Sequence, residues 1–81
     1  MMAGYYVVIG IYKNKGNADK EMTLNKYKSK AHHYTPGIMI NKYSQMNFVY
    51  ILICDNWDKA DRAADKIRTI GYHDAWVQQL K

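Results

Sequence analysis

The sequence predicts an α+β domain in which one four-stranded antiparallel sheet carries two helices on one of its faces, in the chain order βαββαβ. Three observations point there. The stretches YYVVIGIYKNKGNADK at 5–20 and FVYILICDNWDKADR at 48–62 share one layout: an apolar β-branched run, a polar turn and a helix start. Each helix pattern is followed by a further short strand pattern. The chain has 81 residues, which is one small domain.

The elements follow in order. Residues 5–12, rich in Tyr, Val and Ile, suit a strand partly buried on both faces, and Gly10 inside it suggests a bulge or a close backbone approach. KNKGN makes a turn, with Asn17 as the expected N-cap of a helix from Ala18 to Lys30. Ala18, Met22, Leu24, Tyr27 and Ala31 give that helix a ragged apolar stripe. HHYTPG breaks it, because Pro36 biases Thr35 away from helical dihedrals. IMINKY at 38–43 reads as a strand, SQMN as a hairpin connection, and FVYILIC at 48–54 as the strongest strand in the chain. Asp55, Asn56 and Asp58 then crowd the start of a second helix, expected over Asp58–Ile70, where negative charge is favoured. Ala60, Ala63, Ala64, Ile67 and Ile70 form its narrow stripe of mostly small residues, Gly71 suits its C′ position, and DAWVQQL closes the chain as a strand. Ala18 and Ala60 hold equivalent first-turn positions in two split βαβ halves, the order of a ferredoxin-like fold. The domain is expected over 5–81, with residues 1–4 disordered or added by cloning.

Composition narrows the function. The hydrophobic fraction of 48% and charged fraction of 23% are those of a globular chain. Cys54 is the single cysteine, which excludes an internal disulfide and a cysteine-based zinc site. No apolar run long enough to span a membrane and no signal-peptide pattern occurs, so any export signal is expected outside this segment. The net charge of +5 resides in residues 1–42, where seven lysines face Asp19 and Glu21. That imbalance favours anionic partners. Neither His32, His33 and His73 nor any carboxylate pair forms a catalytic or metal-binding pattern, and Cys54 reads as a small hydrophobe. No enzyme activity, cofactor or metal is expected.

With both helices on one face, the other face of the sheet is expected to meet solvent, and period-two alternation selects its residues. Val7, Ile9, Val49, Ile51, Ala75 and Val77 go inward. Tyr6, Val8, Phe48, Tyr50, Trp76 and Gln78 go outward. Four aromatic rings exposed together make a candidate contact surface, suited to flat ligands, to sugar rings or to another protein.

At these residues the chain resembles a SPOR (sporulation-related repeat) domain, in a Bacteroidetes-like variant, over about residues 5–80. YYVVIG followed by NADK is similar to the family's first strand and helix start. FVYILI, DKADRAADKIRTIGY and HDAWV are similar to its second half. The resemblance implies a noncatalytic bacterial module that binds peptidoglycan, preferring glycan strands stripped of stem peptides. It also implies part of a larger periplasmic cell-envelope protein, often at cell-division sites beside envelope or division proteins. Aligned on Gly10, Val8 stands at the family's Gln position and Ile11 at its Ser position. Phe48 and Tyr50 stand at its basic positions in the third strand, and Leu52 at its Gly. The implied glycan-binding residues are therefore Tyr6, Val8, Ile11, Phe48, Tyr50, Trp76 and Gln78, with Lys13, Lys15 and Lys42 meeting lactyl carboxylates. Two rivals use the same face: a protein-interaction module, homodimerisation included, and an RNA binder of the RNA-recognition-motif type. The third strand lacks the basic, glycine-bearing pattern of the RNA class, and no nucleic acid is expected.

Overall fold

The computed structural model describes residues 4–31 and 34–80, and their side chains except at 26–31. The chain forms β1 (Gly4–Tyr12), α1 (Lys15–Ala31), β2 (Gly37–Ile40), β3 (Asn47–Cys54), α2 (Trp57–Thr69) and β4 (Trp76–Leu80). The strands make one antiparallel sheet in the order β2-β3-β1-β4, a ferredoxin-like arrangement with the two longest strands in the middle. The expected fold is the observed one.

α2 rests on β1, β3 and β4, and α1 on β1, β2 and β3. Beneath α2, Ala60, Ala64 and Ile67 meet Val7, Ile51 and Ala75, all buried. The small residues let the helix backbone approach the sheet closely, and Ala63 and Val77 close the sides. Asn56 caps α2 by accepting the Lys59 N–H at 2.9 Å. At the other end Gly71 takes φ 119°, and the Tyr72 N–H reaches the Ile67 carbonyl. That is the helix stop expected of a C′ glycine. Asn56→Ala is expected to cost about 1 kcal/mol in urea unfolding, with Asn56→Gly costing a few tenths.

The first helix differs from its expectation. It begins three residues early, and Asn14 rather than Asn17 supports its start by accepting the Gly16 N–H at 2.7 Å. Its stripe is thin: Ala18 is buried and Met22 half-buried, while Leu24 is exposed. Tyr27, Ala31, His32 and His33 carry expectations that fall outside the described side chains.

β2 also ends early. Strand was expected to Tyr43, but the ladder stops at Ile40 because the Asn41 side chain accepts the N–H groups of Tyr43 and Ser44. That side-chain turn competes with strand continuation. Gln45 at φ 60° completes the hairpin, whose tip is 41–46 rather than 44–47. β1 starts at Gly4, which pairs with Leu80.

The β1–β3 ladder carries two offsets. Val7 pairs with Leu52 but Val8 with Tyr50, leaving Ile51 as an extra residue in β3; Gly10 then pairs with Val49, leaving Ile9 extra in β1. Each offset reverses the in–out alternation beyond it. Strict alternation would send Leu52 outward, yet it packs with the helix-side core, and Ile53 turns to the opposite face.

Candidate functional site

The helix-free face of the sheet is built by alternate residues of all four strands. Tyr6 and Val8 come from β1, Met39 from β2, Phe48, Tyr50 and Ile53 from β3, and Trp76 and Leu80 from β4. No residue of either helix belongs to this cluster among the described residues. The offset at Ile9 explains a pairing that spacing alone forbids. Val8 and Ile11 are separated by an odd number of positions, so a regular strand would put them on opposite faces. The extra residue places Ile11 opposite Phe48, on the same face as Val8. Gln78 lies opposite Tyr6 in the β1–β4 ladder and shares that face.

All seven sequence-predicted residues thus converge on one face, but not all of them reach solvent. Tyr6 is 1% exposed, Val8 0% and Phe48 6%, so the expectation that they stand open to water is corrected. The rings cover one another. Tyr6 meets Tyr50 edge-to-face with centroids 4.9 Å apart, and Phe48 meets Trp76 at 6.4 Å. Met39 and Met46 fill the remaining gaps. Such edge contacts each add about 0.5–1.5 kcal/mol beyond the burial of area. The sheet has a second small core here, and only its upper layer is accessible. That layer holds Ile11, exposed at 44%, with half-buried Tyr50, Trp76 and Gln78.

One glycine makes the arrangement possible. Gly37 pairs with Tyr50 across the β2–β3 ladder, and the phenol ring lies over it so closely that no Cβ fits beneath.

The electrostatics of the face follow from its burial. Burial, and secondarily Tyr50, push the Tyr6 phenol above its ordinary pKa. A raised phenol pKa keeps the folded state neutral while the unfolded chain ionises. Stability from Tyr6 is therefore complete below about pH 10, the unfolded value, and falls as pH rises through the folded one. Tyr12 is pushed up too, by burial and then by Glu21, and adds to the same loss. Urea midpoints measured from pH 8 to pH 11 should fall less steeply in Tyr6→Phe than in the unaltered chain.

Lys13 and Lys15, expected near the site, are exposed in the turn after β1 and the first turn of α1. Asn47, buried, ties that turn to β3 by donating its amide to the carbonyls of Tyr12 and Lys13 at 3.1 and 3.3 Å. Lys42 sits elsewhere, on the β2–β3 hairpin. Together with Asn41 and Tyr43 it faces Gln78, Gln79 and Leu80 of β4 across a cleft of about 300 Å³. β2 and β4 are opposite edges of the sheet, and Met46 of the hairpin packs in the helix-free cluster that also holds Leu80, so the tip reaches over that face. Sequence reasoning missed this wall, because extending β2 to Tyr43 hid the tip; the Asn41 side-chain turn was the signal.

At the far end of β3, Cys54 is half-buried against the helix-side core, and burial and then Asp55 raise its pKa. The thiolate is suppressed there. Among the described residues no group of His, Cys, Asp and Glu is placed to hold a metal ion, and no helix is long and apolar enough to cross a membrane.

No family model and no curated protein matches the chain. Among solved structures it is similar to the solution structure of the peptidoglycan binding domain of the B. subtilis cell wall lytic enzyme CwlC. The two share 26% sequence identity and a TM-score of 0.70 over 100% of this chain and 94% of that one. That neighbour is the same kind of module as the SPOR resemblance implies.

Proposed function

We propose that this chain is a noncatalytic peptidoglycan-binding module of the SPOR type, engaging glycan strands with the helix-free face of its sheet. The observation that carries this is the whole-chain likeness, in fold and in sequence, to a peptidoglycan binding domain. The face suits the task. Tyr50, Trp76 and Ile11 offer apolar surface to sugar rings, and Gln78 offers an amide for hydroxyls. Tyr6, Val8 and Phe48 hold those residues in place from below.

Loss of the family's Gln and Ser at Val8 and Ile11 leaves stacking as the main source of affinity. Strands stripped of stem peptides are the preferred ligand, since they expose the sugar faces. The setting is a larger periplasmic cell-envelope protein.

Co-sedimentation with purified sacculi, before and after amidase removal of stem peptides, tests the proposal. The chain should pellet with both and more with the stripped form. Trp76→Ala should weaken pelleting about tenfold, as loss of an aromatic anchor does. No pelleting with either preparation at low salt would reject glycan binding in favour of a protein-interaction module.

A further inference from the structure

We infer that the cleft between the β2–β3 hairpin tip and β4 is a subsite for a carboxylate-bearing sugar, in which Lys42 pairs with the acid and Tyr43 stacks on the ring. This rests on the glycan-binding function proposed above and assigns part of it to residues outside the strand positions.

Three features converge in the cleft. Tyr43 is 88% exposed, an uncommon state for so large a ring away from a contact. Its presentation is fixed by the backbone. The Asn41 carboxamide accepts the Tyr43 N–H at 2.9 Å and the Ser44 N–H at 3.1 Å, and the Gln45 N–H donates to the Asn41 carbonyl at 2.8 Å. The Lys42 ammonium lies over one face of the Tyr43 ring, 5.6 Å from its centre, so the charge adjoins the ring and the opposite face is the one left for stacking.

The opposite wall supplies neutral polar groups. Gln78 and Gln79 make only long contacts, their side-chain amides donating at 3.4 Å to the Gln79 carbonyl and the Tyr5 hydroxyl. The Gln78 amide can exchange its contact for a sugar hydroxyl, whereas the Gln79 amide lies on the helix side with Tyr5. Among its described lining residues the cleft has one cation and no acid, which favours an anionic occupant. The volume of about 300 Å³ is at the lower end for a ligand site and suits one or two sugar units. A muramic acid unit freed of its peptide bears such a carboxylate on its lactyl group. A unit still carrying its peptide has an amide there and offers Lys42 no charge.

The test is binding to amidase-stripped sacculi, alongside the same material with its lactyl carboxylates capped as methylamides. The unaltered chain should bind the capped material about fivefold more weakly, the size of one exposed ion pair. Lys42→Gln should lose about the same factor on stripped sacculi and nothing further on capped ones. Tyr43→Ala should weaken binding to both materials about tenfold. Lys20→Gln, on α1, controls for net charge and should bind as the unaltered chain does. Lys42 and Tyr43 are exposed, so folding is not at stake; circular dichroism confirms it. Equal binding to capped and stripped material, or normal binding by both cleft variants, overturns this subsite while leaving glycan binding intact. Failure of the unaltered chain to bind any sacculi overturns both.

Discussion

Phe48→Ala is expected to lower the unfolding free energy by about 3–5 kcal/mol, the usual cost of emptying a buried aromatic site. Phe48 is nearly enclosed among Trp76, Met39 and their neighbours, and the edge contact with Trp76 disappears with it. A domain of this size has about 5–15 kcal/mol in total, so the variant should be marginal at room temperature. Melting should drop by about 4–8 °C for each kcal/mol lost. Phe48→Leu keeps most of the volume and should cost less than about 1.5 kcal/mol. Lost binding in Phe48→Ala with unchanged thermal unfolding would show instead that the ring touches ligand directly. Binding losses at Tyr6 or Phe48 therefore need a stability measurement beside them, whereas Tyr43 and Lys42 do not.

Gly37→Ala should destabilise by about 1–3 kcal/mol, because the added methyl occupies space held by the Tyr50 phenol. Aromatic cover of an edge-strand glycine is a device that pins cross-strand pairing, and β2 is an edge strand. The displaced ring would also leave its place against Tyr6. The double variant Gly37→Ala, Tyr50→Leu separates steric conflict from lost strand propensity. If the clash dominates, the two changes should be less costly together than summed, by about 0.5 kcal/mol or more in urea unfolding. Strict additivity would mean that the methyl is tolerated beside the ring.

The elements were legible because local chemistry and tertiary packing agree in most of them. The Ala60, Ala64 and Ile67 stripe, the Asn56 cap and the Gly71 stop all signal α2 without ambiguity, and α2 is where sequence and structure match most closely. The two boundaries displaced by three residues involve asparagine, whereas β4 starts two residues late, at Trp76. At Asn14 and Asn41 a carboxamide captures backbone N–H groups, moving a helix start upstream and ending a strand early. Asparagine can cap, turn or simply be solvated, and spacing does not distinguish these roles.

The face of each site residue was legible from alternation at Tyr6, Phe48, Tyr50 and Trp76. Depth was not. Whether a ring lies over its neighbours or beneath them depends on the curl of the sheet and on the overhanging hairpin, which are properties of the assembled strands. For that reason Tyr6 and Phe48 read as exposed rings and prove to be buried. Leu52 and Ile53 were beyond reach for a different cause, since β3 is apolar almost throughout and offers no alternation in which an extra residue would show.

That near-uniform greasiness gives the pair of extra residues, Ile9 and Ile51, a purpose. Two ribbons oily along most of their length could slide past one another at little penalty, since any alignment would hide similar surface. With one kink in each ribbon, at different heights, only one alignment mates both; a slip of a single step sets each kink against straight backbone. The central strands work as a keyed joint, and the helix-free side inherits its order from that key.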